Sequence, residues 1–140
     1  MKDHPLIKAV VIDPFQCEIF PVQLRKDCAS DVAELIDCEM IQTVDLGIII
    51  HGTQHVAWVD EEGLLRTPYV WPKWAMQGVN NDLGIPGYGL ITGMDENGSM
   101  VNSLVSMASI AQALAFEHWR ARIDADSVIP RMMRLYKIAI

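Results

Sequence analysis

His51 and His55 stand four residues apart, a spacing that on a helix turns both imidazoles to one side and supplies two of the ligands a zinc ion needs. Gly52, Thr53 and the β-branched neighbours argue instead for a turn feeding a strand, and no third ligand accompanies the pair. Asp60, Glu61 and Glu62 offer carboxylates for acid–base work, yet acids clustered on a turn are ordinarily solvated. Ser99, Ser103, Ser106 and Ser109 lie in no nucleophile elbow, and neither Cys17 nor Cys28 has a histidine nearby in sequence. Gly84, Gly87, Gly89 and Gly93 lack the spacing of a phosphate-cradling loop. No catalytic constellation, metal site or cofactor is therefore expected. The enzymatic alternative is a small hydrolase using His51 or His55 with Asp60.

Residues 69–88 carry a different chemistry. Tyr69, Trp71, Trp74 and Tyr88 fall in one irregular stretch with Lys73, Gln77, Asn80 and Asn81. Aromatic faces stack on planar rings, a lysine neutralises phosphate, and asparagine amides bond sugars or base edges. The expected ligand-binding set is Tyr69, Trp71, Lys73, Trp74, Asn80, Asn81 and Tyr88, with His55 from the preceding strand. The competing reading makes Trp71 and Trp74 ordinary core, plugging the sheet.

Elements must position these residues. The β-branched run 9–12, the turn Asp13-Pro14-Phe15-Gln16 and the run 17–24 predict an N-terminal hairpin. Pro21 cannot donate to a ladder, so its strand belongs at an edge or a bulge. Residues 27–37 have helical spacing, with Asp27 or Ser30 as cap. Residues 39–46 alternate as a half-buried strand, Gly47 interrupts it, and 48–50 resume as strand. The stretch 55–63 is a strand ending in an acidic turn whose Gly63 permits a hairpin return through Leu64 and Leu65.

Pro68 and Pro72 then exclude a continuous element, and residues 74–79 suggest one helical turn. Residues 88–94 read as a strand, and Asn97-Gly98 signals a hairpin to a partner at 100–104. Residues 99–105 also fit the start of a long helix, so strand and helix stay open there; the hairpin is preferred, with a helix capped at Ser106 and running to about Ile123. Pro130 opens a last, strongly apolar helix over 130–139. The fold class expected is α+β: an antiparallel or mixed sheet of hairpins with two or three helices packed on it, one domain over 1–140 in which 106–140 is a C-terminal helical extension.

Composition narrows the function. The chain has 140 residues, enough for one core without disulfides, and 51% of them are hydrophobic. Three cysteines without CxxC spacing indicate neither a disulfide framework nor a zinc ribbon. No apolar run reaches the roughly 20 residues of a membrane span and the N-terminus lacks a signal-peptide core, so the expected location is cytoplasmic. A net charge of −7 opposes a phosphate backbone, making nucleic acid an unfavoured partner. Yet Arg120, Arg122, Arg131, Arg134 and Lys137 make a basic end after an acidic body. That polarity and the apolar tail point to a homo-oligomer joined through the C-terminal helices.

The runs Ile41-Gln42-Thr43-Val44-Asp45-Leu46, Trp58-Val59-Asp60-Glu61-Glu62-Gly63-Leu64-Leu65 and Gly89-Leu90-Ile91-Thr92-Gly93, followed by Asp95 to Gly98, resemble a known family. It comprises small uncharacterised proteins of bacteriophages, plasmids and some bacteria, a domain of unknown function with an acidic-Glu-Gly hairpin. The resemblance runs from about Ala9 to Val105 and implies an α+β architecture and a mobile-element origin, with no activity to carry over. Trp71-Pro72-Lys73-Trp74 replaces an Asn-containing segment usual there. The first functional expectation is a non-catalytic protein sequestering a small nucleotide-derived ligand, an anti-defence sponge. The alternative is an acidic interaction module or inhibitor that binds a host protein.

Overall fold

A nearly continuous apolar strand and a mixed one open the described chain: Leu6–Asp13 (β1) and Glu18–Arg25 (β2) pair antiparallel, from Leu6 opposite Arg25 to Asp13 opposite Glu18. The computed structural model describes residues 5–62, 72–77 and 84–116. β2 lies at the edge of the larger sheet, where Pro21, opposite Val10, has no ladder bond to supply outward. A helix, Ala29–Leu35 (α1), follows, then Ile41–Ile50 (β3) and Thr53–Asp60 (β4), then Lys73–Met76 (β5) and the two-residue Ile85–Pro86 (β6). Gly89–Met94 (β7), Met100–Val101 (β8), the helix Met107–Ala113 (α2) and Leu114–Phe116 (β9) complete the described chain.

The larger sheet runs β2-β1-β7-β4-β3, with β8 also on β7; the smaller runs β6-β5-β9, and every pairing is antiparallel. The architecture is thus α+β, strand-dominated, with two short helices among the described residues. β7 enters between β1 and β4, so the N-terminal hairpin and the β3–β4 hairpin are joined by a strand distant in sequence. One face of the large sheet packs through Val10, Ile12, Ala57, Val59 and Ile91 against Trp74, Met76, Ile85, Ile110, Leu114 and Phe116 of the smaller sheet and α2. The other face packs through Ile7, Ala9, Val11 and Leu90 against Val32 and Ile36, at α1 and its C-terminal cap.

Local chemistry sets the connections. His51 (φ 50°) and Gly52 (φ 78°) form a two-residue turn with both dihedrals positive, the type I′ geometry that matches strand twist. Asp95 Oδ1 accepts from the N–H groups of Asn97 and Ser99, and Gly98 at φ 81° closes a bulged turn into β8. α1 ends in a Schellman motif: Cys38 N–H reaches Ala33 O, Asp37 N–H reaches Glu34 O, and Asp37 takes the left-handed position at φ 52°.

Several expectations are corrected here. Gly47 does not end a strand; it sits at φ 68° in a bulge between Asp45 and Ile48 of a continuous β3. Neither Asp27 nor Ser30 caps α1, since Cys28 is the N-cap residue without a side-chain bond, and Asp27 Oδ1 instead accepts from Met100 N–H at 2.8 Å. Residues 73–76 form a strand rather than a helical turn, with Trp74 opposite Phe116 and Met76 opposite Leu114. The helix capped at Ser106 stops at Ala113, not Ile123, because Leu114–Phe116 extends to pair with β5. The return through Leu64 and Leu65 and the helix over 130–139 lie outside the described residues.

Candidate functional site

Half of the expected ligand set, His55, Lys73, Trp74 and Tyr88, falls within the described residues. Tyr69, Trp71, Asn80 and Asn81 lie outside the described residues. Trp74 is 1% exposed, in the core between the sheets, and its ring is so close to Gly89 that a Cβ there would stand 2.6 Å from Trp74 Cζ2. It is the plug of the competing reading, not a pocket wall. Lys73 is half-buried on β5 opposite Pro86.

His55 is also corrected. It is fully enclosed, with Nδ1 3.3 Å from Ile48 O and Nε2 accepting from Leu104 N–H at 3.0 Å. Those two bonds define one neutral tautomer, Nδ1–H, that clamps the β3 bulge to the segment between β8 and α2. His51 sits in the turn that leads into β4 and Asp60 at the far end of that strand, roughly 30 Å away at the rise of an extended strand, while His55 is enclosed on the strand between them. His51 borders a cleft of about 280 Å³ with Gly52, Thr53, Asp95, Glu96 and Asn97, formed where two hairpin tips meet. Among the described residues no three His, Cys, Asp or Glu side chains are grouped to hold a metal.

Tyr88, half-buried, stands at one end of the larger sheet. Gly89 is opposite Ile12 of β1 and Val59 of β4, so the residues one step beyond, Asp13, Tyr88 and Asp60, form a row at the end of the sheet. Strand alternation turns them to the α1 side, as it does Val11, Leu90 and Trp58. Phe15, 44% exposed, stacks on Tyr88 with ring centroids 4.9 Å apart and planes tilted by 37°. Trp58 is half-buried beside them, one edge fixed by its Nε1–H donating to Thr92 Oγ1 at 2.9 Å.

The carboxylates of this row are held. Asp13 Oδ1 accepts from Phe15 N–H at 2.9 Å and Gln16 N–H at 3.1 Å, and Asp60 Oδ1 accepts from Glu62 N–H at 2.9 Å. They are 8% and 6% exposed. Their field is felt nearby: burial raises the Tyr88 phenol above its ordinary range, and Asp13 and Asp37 add to the rise. Burial likewise pushes the Cys38 thiol up to about 11, with Asp60, Asp37 and Glu62 reinforcing it. The result is an aromatic surface set among negative charges.

Sequence reading missed Asp13, Phe15 and Trp58 as site residues and assigned Asp60 to a solvated turn. Only the β1–β7–β4 neighbourhood makes them one surface, and no short-range pattern announces that order.

Fold and surface together define a strand-rich α+β domain with an aromatic and acidic row at one end of its larger sheet. The chain belongs to the family described as a domain of unknown function (DUF3846), whose model matches residues 7–115. No curated protein and no solved structure matches the chain. Among the described residues no helix is long and apolar enough to cross a membrane.

Proposed function

We propose that this protein is a non-catalytic interaction module that holds a protein partner against the α1 side of its larger sheet. The observation that carries the reading is the Phe15–Tyr88 pair, aromatic area left open on a rigid sheet end beside buried acids. Aromatic anchors in partly desolvated surroundings are what partner-binding surfaces use. A mobile-element origin, which the sequence resemblance implies, makes a host protein the natural partner.

The sequestration of a nucleotide-derived ligand has less support. Its aromatic and amide residues lie mainly outside the described chain, Trp74 and His55 are enclosed, and the acids beside Tyr88 oppose a phosphate. Calorimetry with cyclic dinucleotides and ADP-ribose derivatives separates the two readings. Association of copies through the C-terminal segment is a further proposal, checked by light scattering.

A photo-crosslinking residue placed at position 15 in cells tests the module reading, with a control at position 97 on the far tip of the β7–β8 hairpin. A defined adduct with one protein is expected from position 15 alone, and Tyr88→Leu should abolish it. Equal yields from both positions, or adducts indifferent to Tyr88→Leu, would overturn the proposal.

A further inference from the structure

We infer that the partner of this face presents arginine, a guanidinium stacking on the Phe15–Tyr88 pair while a flanking carboxylate, Asp13 or Asp60, accepts its hydrogen bonds. The inference rests on the interaction-module reading and narrows it to one chemistry.

The first argument is charge. Asp13 and Asp60 are nearly enclosed, yet among the described residues neither they nor Asp37 makes an ion pair; the pair formed there is Arg25–Asp31, beyond the row. Partly desolvated carboxylates without a counter-ion favour a cation over any neutral or anionic group. The second is orientation. Each Oδ1 is engaged by its own turn, and among the described residues neither Oδ2 is, so both carboxylates are fixed with one acceptor to spare. A fixed acceptor loses little freedom when a donor arrives.

The third argument selects arginine over lysine. The open Phe15 ring and the half-buried Tyr88 and Trp58 present π surface, which attracts a cation through the ring quadrupole. Guanidinium is planar and weakly hydrated, so it stacks on a ring and still directs N–H groups sideways to carboxylates; an ammonium has no such plane. A bare metal ion is a poorer occupant, because the described residues gather no set of three ligands.

The test is calorimetry of the full-length protein with a short arginine-rich peptide and a lysine-rich peptide of equal length and charge. The arginine peptide should bind about fivefold more tightly, the scale of a partly exposed cation–π contact. Phe15→Ala or Tyr88→Leu should equalise the two peptides, while Tyr88→Phe keeps the difference. Asp13→Asn, which retains the Oδ1 acceptor its turn needs, should weaken both, and Asp95→Asn, the same charge change at the far hairpin tip, should not. Circular dichroism confirms that each variant is folded. Absence of binding, equal affinity in the unaltered protein, or indifference to Phe15→Ala would overturn the arginine inference. The module reading would then still stand or fall on the position-15 crosslinks.

Discussion

Cys38 shows how the acidic row acts on one side chain. Burial first, then Asp60, Asp37 and Glu62, raise its thiol to about 11. Its peptide-resolved alkylation rate should therefore keep climbing with pH toward about 11, and Asp60→Asn should bring the rise to lower pH. A plateau in the ordinary thiol range would show that the acids do not surround it. Because the folded value is raised, the stability this thiol contributes is present below the ordinary thiol range and lost as pH climbs through about 11. Tyr88 follows the same sign: its phenolate absorbance should appear later than that of an unperturbed tyrosine. The position of Tyr88 at the start of its strand was legible, because a tyrosine flanking a glycine-bounded strand is visible in sequence. Trp74 was misplaced because two nearby prolines made its segment look irregular, whereas the half-buried and buried alternation of Lys73–Met76 is a strand.

Between elements, single residues act as joints. His55 ties β3 to Leu104, so His55→Leu leaves the Leu104 N–H and the Ile48 carbonyl without their partner and should cost about 1–2 kcal/mol in denaturant unfolding. Gly89 admits the Trp74 ring, and a methyl group at 2.6 Å from a rigid indole has nowhere to go. Gly89→Ala should destabilise by about 1–3 kcal/mol, and Trp74→Leu in the same chain should relieve part of that loss. Ser106 Oγ accepts from Ser109 N–H at 3.1 Å, so Ser106→Ala should cost about 1 kcal/mol by the same measurement. The hairpins, α1 and the Ser106 cap were legible because turn residues and periodicity are local. The strand at Leu114–Phe116 was not, because its apolar residues continue the helical pattern and only pairing with β5 extends them.

At the scale of the molecule, the α+β class followed from short alternating runs separated by turn formers. The insertion of β7 between β1 and β4 did not, and that insertion creates the row Asp13, Tyr88 and Asp60. Arg25 contributes at this scale by gripping Asp31 with two side-chain bonds of 2.9 and 2.6 Å, which fastens α1 to β2. The guanidinium holds the Asp31 carboxyl well below the usual carboxylate range. That contribution is present above the ordinary Asp range and lost only as pH falls through the lowered value, so Arg25→Gln should shift the acid unfolding midpoint upward.

The bulge in β3 has a bearing on how copies of the protein coexist in solution. Among the described residues the outer margin of β3 meets no strand, and Ile49 is 65% exposed along it. A ten-residue margin of regular hydrogen-bonding groups would template cross-β growth. Gly47, at φ 68°, breaks that template into two short pieces with Asp45 Oδ1 occupying the Gly47 N–H. Replacing Gly47 with Val, which disfavours this dihedral, should raise thioflavin-T fluorescence on storage while Ile49→Lys in the same chain suppresses it.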